Sequence, residues 1–328
     1  MKHQRSNRRS RGRIVAIVAA IVTFVAVSAI AGSVVLHHLH GKSSDSAGPL
    51  PVLLPTTPHS YVGVYAPLVP ASYAGVTAFT NATGIKPDIT MFYSGWFESF
   101  PKGFATTAAQ HGAVPLVEID PSGISVAKIA SGHYDGYLSS YAEAVRSYHH
   151  PVILSFGHEM NGTWYSWGDG QTPPATFIAA WRHIVTVFRD LGTHNVTWLW
   201  TVNIINDTQH GKIPSPAAWW PGRSYVTWVG IDGYYLKRSW KFAPLFGPTI
   251  AAVRELTNDP MLIGETGATP ASGQPAKISN LFAGIRSYGL LGFVWFDVTA
   301  NNQEFRINTP AAIAAFHQGA TTFARPAS

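Results

Sequence analysis

No cysteine occurs in the 328 residues, so disulfides, thiol nucleophiles and cysteine-based metal sites are excluded. Charge is scarce as well: charged residues make up 12% of the chain against 46% hydrophobic ones, a balance that suits a large packed core and argues against disorder. The formal charge of +6 does not describe the body of the chain. Of 23 basic residues, six (Lys2, Arg5, Arg8, Arg9, Arg11 and Arg13) lie in the first 13 residues, where no acid occurs, which leaves 17 basic residues against 17 acidic ones. No basic stripe remains for phosphate binding, so nucleic acid is not an expected partner. Three motifs are also missing. Tyr65-Ala66-Pro67 follows the first candidate strand where a dinucleotide-binding fold would carry a glycine-rich turn. No G-x-S-x-G elbow occurs. His158-Glu159 opens a zinc-type H-E-x-x-H, but Gly162 stands at the second histidine position. Neither a metal nor a cofactor is expected.

What is present begins with a membrane signal. The basic head leads into Ile14 to Leu36, twenty-three residues without a charge. A bilayer crossing needs about 20 apolar residues, and Ala29-Ile30-Ala31 offers a small-x-small cleavage site. The expectation is a body outside the cytoplasm, anchored by residues 14–36 or secreted after cleavage near Ala31, with no other membrane contact. Residues 37–59 read as a flexible linker rich in Ser, Pro and Gly; its cluster His37, His38 and His40 is a solvated patch without a role.

Beyond residue 60, short apolar runs alternate with helical spacing. Candidate strands are 61–65, 88–96, 114–120, 152–159, 196–203, 226–234, 261–267 and 291–298; the clearest helical patterns are 174–191 and 245–256. Eight strand–helix units in about 270 residues match an α/β fold of the (β/α)₈ TIM barrel type, whose usual size is about 250 residues. The chain thus divides into a head and signal segment 1–36, a linker 37–59 and a barrel domain 60–328, expected to be monomeric.

In such a barrel, functional groups collect at the C-terminal ends of the strands. Those ends carry Trp96, Asp120, Glu159, Asn203, Asp232 with Tyr234, Glu265, and Trp295 with Asp297. Carboxylates and aromatic rings together suit a neutral, hydroxyl-rich ligand, because sugar rings lay their C–H faces on indoles while polar groups bind hydroxyls. The fourth strand runs into the densest such stretch, with His158, Glu159 and Asn161 followed by Trp164, Tyr165 and Trp167. Strict alternation puts Ile153, Ser155, Gly157 and Glu159 on one face, and likewise Ile263 and Glu265, so both glutamates converge over the barrel axis. His158 then points away unless the strand breaks there. Two convergent carboxylates fit glycosidic cleavage, in which one carboxylic acid protonates the leaving oxygen and the other attacks or activates water. The sequons at Asn81, Asn161, Asn195 and Asn206 are taken as unmodified.

GHEMNGTWYSWG together with IGETG resembles glycoside hydrolase family 26, over about residues 60 to 325. The resemblance implies a (β/α)₈ catalytic domain that cleaves β-linked polysaccharide with retention, β-mannan first and mixed-linkage β-glucan, cellulose or xylan as alternatives. It implies Glu159 as general acid/base and Glu265 as nucleophile. It further implies that His158 orients the carboxylates, that Trp164 lines the cleft, that Tyr234 hydrogen-bonds the nucleophile, and that the sugar at the cleavage point stacks on Trp295. Trp96, Trp167, Asn203 and Asp232 complete the expected substrate-binding set.

Overall fold

The computed structural model describes residues 53–205 and 213–323. The expected signal segment and the linker up to residue 52 lie outside the described residues. Eight parallel strands close into a barrel: β1 (Tyr61–Tyr65), β2 (Ile89–Gly95), β3 (Val114–Asp120), β4 (Val152–Phe156), β5 (Val196–Asn203), β6 (Trp228–Asp232), β7 (Met261–Thr266) and β8 (Gly292–Phe296). The seam is β1 on β8, with Tyr61 to Tyr65 running beside Gly292 to Phe296. Helices α1 (Ala74–Thr83), α2 (Lys102–Gln110), α3 (Val126–Ala130), α4 (Asp135–Arg146), α5 (Pro174–Asp190), α6 (Phe242–Arg254), α7 (Gln274–Tyr288) and α8 (Pro310–Thr321) follow in order. Among the described residues no helix is long and apolar enough to cross a membrane.

Strand alternation builds two hydrophobic layers. Ile89, Met91, Leu116, Ile153, Leu199, Trp228, Leu262 and Val294 face inward. Val64, Phe92, Val117, Leu154, Trp198, Val229, Phe293 and Trp295 face the helices. Helix α5 shows how the outer layer is met: Pro174 starts it without losing a useful N–H, and Phe177, Trp181, Ile184, Val185 and Phe188 form its buried stripe. Within the segment read as linker, Leu54 is buried, although residues 55–58 after it are exposed. Leu54 belongs to the inner cluster, and the Tyr61 hydroxyl donates to the Pro55 carbonyl at 2.8 Å.

The expected regular alternation of strand and helix fails at one step. Between β5 and β6 the described residues form only two short 3₁₀ turns, Pro216–Trp219 and Arg223–Tyr225. Pro214, Pro216, Pro221 and Gly222 crowd this stretch and do not support a longer helix.

Two strand irregularities decide which way the mouth residues point. Strand β7 pairs Leu262 with Gly230 and Glu265 with Asp232, three steps against two, so it carries one extra residue. The same excess appears against β8, between Ile263 and Thr266. Ile263 therefore packs outward while Glu265 turns inward; the expectation that both share one face is wrong, and the bulge is the reason. On β4 the ladder stops at Phe156, and Gly157 (φ 56°) and Glu159 (φ 53°) enter the left-handed region. A Cβ on Gly157 would lie 3.0 Å from the Phe177 ring and 3.1 Å from Trp167, so a side chain there would crowd both rings as well as strain the backbone.

Candidate active site

The break after β4 turns His158 and Glu159 toward the mouth together. Glu159 is buried, and its two oxygens accept from the Asn203 side-chain amide (2.7 Å) and the Trp164 indole (2.8 Å). Asn203 is fixed by Asn161, which accepts from its backbone N–H at 2.8 Å and donates to its carbonyl at 2.9 Å. Trp164 folds over Gly162, where a Cβ would sit 2.3 Å from the indole. Left-handed backbone at a glutamate costs on the order of 1 to 3 kcal/mol, and these contacts keep it there.

Glu265 is held differently. It accepts from the phenols of Tyr93 and of Tyr234, the latter at 2.6 Å. Burial and the adjacent carboxylate hold both phenols well above their usual range, so they stay protonated donors. Burial pushes the Glu159 carboxyl up to about 7; the His158 charge and the two N–H donors pull against this, and the Glu265 charge adds to it. A carboxyl poised there both gives and takes a proton near neutrality.

His158 bridges Asp120 (Nδ1 to Oδ1, 2.9 Å) and the Tyr165 hydroxyl (3.0 Å from Nε2). Burial works against its charge, but the Asp120 carboxylate outweighs burial and lifts the imidazole well above its usual value. Glu118, fully buried on the inner face of β3, accepts from the Thr201 hydroxyl at 3.2 Å and stands 4.0 Å from His158 Nδ1. Burial pushes it up to about 8. Asp232, beside Glu265 and also fully buried, has no hydrogen-bond partner on either oxygen; burial and the neighbouring carboxylates keep it protonated.

Of the expected substrate-binding residues, His158, Trp164, Asn203 and Tyr234 gather at the two glutamates. Four others do not line the mouth. Trp295 lies on the outward face of β8, unexposed, against Phe316 of α8 and donating to the Phe305 carbonyl. Its neighbour Phe296 takes the inward place, half-buried, stacked on Tyr65 (4.8 Å, 14°) and edge-on to Tyr234. Trp167 is buried behind the site, under Tyr165 (4.3 Å, 9°), with its indole on the His158 carbonyl. Trp96 is 7% exposed and packs among Tyr137, Phe156 and Phe97. Asp232 has no exposed surface. Sequence reasoning missed Tyr93, Glu118, Tyr165 and Phe296 as site residues. Period-2 alternation on β2, β3 and β8 could have found Tyr93, Glu118 and Phe296, because Met91, Leu116 and Val294 precede them by two on the inner face.

Among the described residues no group of three or more His, Asp or Glu side chains could hold a metal ion. The profile of glycosyl hydrolase family 26 matches residues 123–319. The chain belongs to this family. Endoglucanase H of Acetivibrio thermocellus is 30% identical over 264 residues, 75% of this chain and 29% of that protein. Mannan endo-1,4-beta-mannosidase A and B of Caldalkalibacillus mannanilyticus is 31% identical over 85 residues, 24% of this chain and 15% of that protein. The family 26 domain here thus spans under a third of the length of either relative. The catalytic domain of a family 26 endo-beta-1,4-mannanase from Bacillus sp. JAMB-750 shares the fold with TM-score 0.63 at 17% identity, covering 80% of this chain and 85% of that one. A Bacillus subtilis mannanase gives 0.59 at 18%, covering 80% and 86%.

Proposed function

We propose that this family 26 chain is a retaining endo-glycoside hydrolase acting on β-1,4-linked polysaccharide, with Glu159 as general acid/base and Glu265 as nucleophile. One observation carries the proposal: two carboxylates meet at one mouth in unlike settings, Glu159 raised to about 7 under two N–H donors and Glu265 under two phenols. Protonated Glu159 donates to the leaving glycosidic oxygen while Glu265 attacks the anomeric carbon to form a glycosyl ester. Ionised Glu159 then takes the proton of the water that hydrolyses it. His158, cationic against Asp120, keeps the Glu159 carboxyl from rising further. Phe296 and Tyr65, rather than Trp295, offer the stacking face next to Glu265.

For the sugar, β-mannan is supported by the mannanase names among the relatives and the solved structures. A second choice, β-glucan, is favoured by the much longer match to Endoglucanase H. A body outside the cytoplasm, anchored or released through residues 14–36, and a monomeric state complete the proposal. A reducing-sugar assay of the full chain against mannan, mixed-linkage β-glucan, cellulose and xylan tests it. Sugar released from mannan or β-glucan, and abolished in Glu265→Ala, supports the proposal; binding without any release would make the chain a glycan-binding protein instead.

A further inference from the structure

We propose that Phe97 is the platform of a second carbohydrate subsite, on which a ring of the polysaccharide stacks away from the cleavage point; this rests on the glycosidase proposal above. Phe97 is 58% exposed, in contrast to its neighbour Trp96 at 7%. Its backbone is left-handed (φ 74°), an outlier for a bulky residue. The turn that imposes this conformation is closed on both sides, with the Glu98 carboxylate accepting from the Gly95 N–H (2.9 Å) and the Glu98 N–H donating to the Gly95 carbonyl (3.0 Å). The Tyr137 hydroxyl adds a third tie to the Glu98 carbonyl at 3.1 Å. The exposed ring is propped edge-on by Tyr134 (5.6 Å, 80°) and Tyr137 (5.4 Å, 72°). Backbone strain and an exposed apolar ring both act against stability unless something binds the outer face, while the two tyrosines hold that face presented to solvent.

Position and chemistry name the occupant. Tyr93, which donates to Glu265, lies four residues earlier on β2, so Phe97 lies within about 14 Å of it along the chain. Trp96, beneath the platform, touches Phe156 at the end of β4, the strand that leads to Glu159. The platform therefore stands on the same face as the mouth. An apolar ring rimmed by the half-buried Tyr134 and by His133, with no Lys or Arg stacked on it among the described residues, fits the C–H face of a neutral sugar rather than an anionic group. Sugar chains too short to reach from the mouth should ignore it.

Two readouts on the full chain test the platform. In gels containing mannan, mixed-linkage β-glucan or xylan, the wild type should be retarded by at least one polysaccharide, and Phe97→Ala less so. Across oligosaccharides of increasing length, Phe97→Ala should leave kcat/KM unchanged on the shortest substrate cleaved and lower it on the longest by about 2- to 10-fold, the size of one aromatic stacking contact. Phe97→Trp should restore the loss. Phe97→Gly, which suits the left-handed backbone, should lose the length dependence without a lower melting temperature. Equal retardation of wild type and Phe97→Ala, no retardation of the wild type in any gel, or a loss uniform across lengths would each overturn the platform. Because retardation needs no turnover, failure of the platform is told apart from failure of the glycosidase proposal, which shows as no sugar released by the wild type.

Discussion

The ends of β4 and β7 both deliver a buried glutamate to the mouth, by opposite means. At β4 the ladder stops and a left-handed Glu159 is caught by an amide and an indole. At β7 the strand continues, and one inserted residue turns Glu265 inward onto two phenols. The first arrangement leaves a carboxyl that titrates near 7 under donors that strengthen when it ionises. The second surrounds its carboxylate with hydroxyls that do not titrate in the working range. The contrast matches the division of labour proposed above, in which Glu159 cycles its proton and Glu265 attacks.

The largest effects should come from the carboxylates themselves. Glu159→Ala should lose about 10²- to 10⁴-fold on natural substrates but still release the aryl group of activated aryl glycosides in the first step. Glu265→Ala should be inactive on both. Equal behaviour of the two variants, measured by steady-state kinetics on each substrate type, would erase the contrast.

Next in size is the pair on β8. Trp295→Ala empties a packed site and should cost about 3 to 5 kcal/mol of stability, whereas Phe296→Ala should cut turnover well beyond its effect on thermal unfolding. Calorimetry beside kinetics checks this, and a stable but inactive Trp295→Ala would return that indole to the substrate.

A smaller effect separates the donors. Asn203→Ala removes a hydrogen bond that favours ionised Glu159, so the alkaline limb of kcat/KM, set near 7, should move to higher pH. Tyr234→Phe should lower activity and leave that limb in place. Shifts of the same size in both pH profiles would show that the donors are interchangeable.

The smallest concerns Glu118. Its carboxyl is raised from about 4.5 to about 8, so the stability it contributes is fully present below 4.5 and is lost as pH rises through 8. Glu118→Gln removes this loss, and its melting temperature relative to wild type should climb between pH 5 and 9. A constant difference across that range would mean that Glu118 is ionised in the fold.

Much of the barrel was legible because its strands are apolar runs bounded by polar or turn residues; β1, β3 and β5 match their expected spans to the residue. The two glutamates were legible as strand-end carboxylates. What alternation could not supply was its own interruption. The bulge in β7 comes from an extra residue near Gly264, where a Cβ would sit 2.6 Å from Asp232; a glycine inside a strand run is a weak bulge signal that the reading of strict alternation passed over. The break after Phe156 had a visible signal, Gly157, but whether that glycine ended the strand depended on Phe177 and Trp167 packing over it. Trp295 misled because an indole at a strand end fits either face; the helix side won through Phe316 and the Phe305 carbonyl.

Proton NMR of a fresh digest of the polysaccharide that proves to be cleaved tests the retaining mechanism most directly, because attack by one carboxylate followed by attack of water fixes the configuration of the first product. The β anomer should appear first and equilibrate later by mutarotation. An initial burst of the α anomer would contradict it.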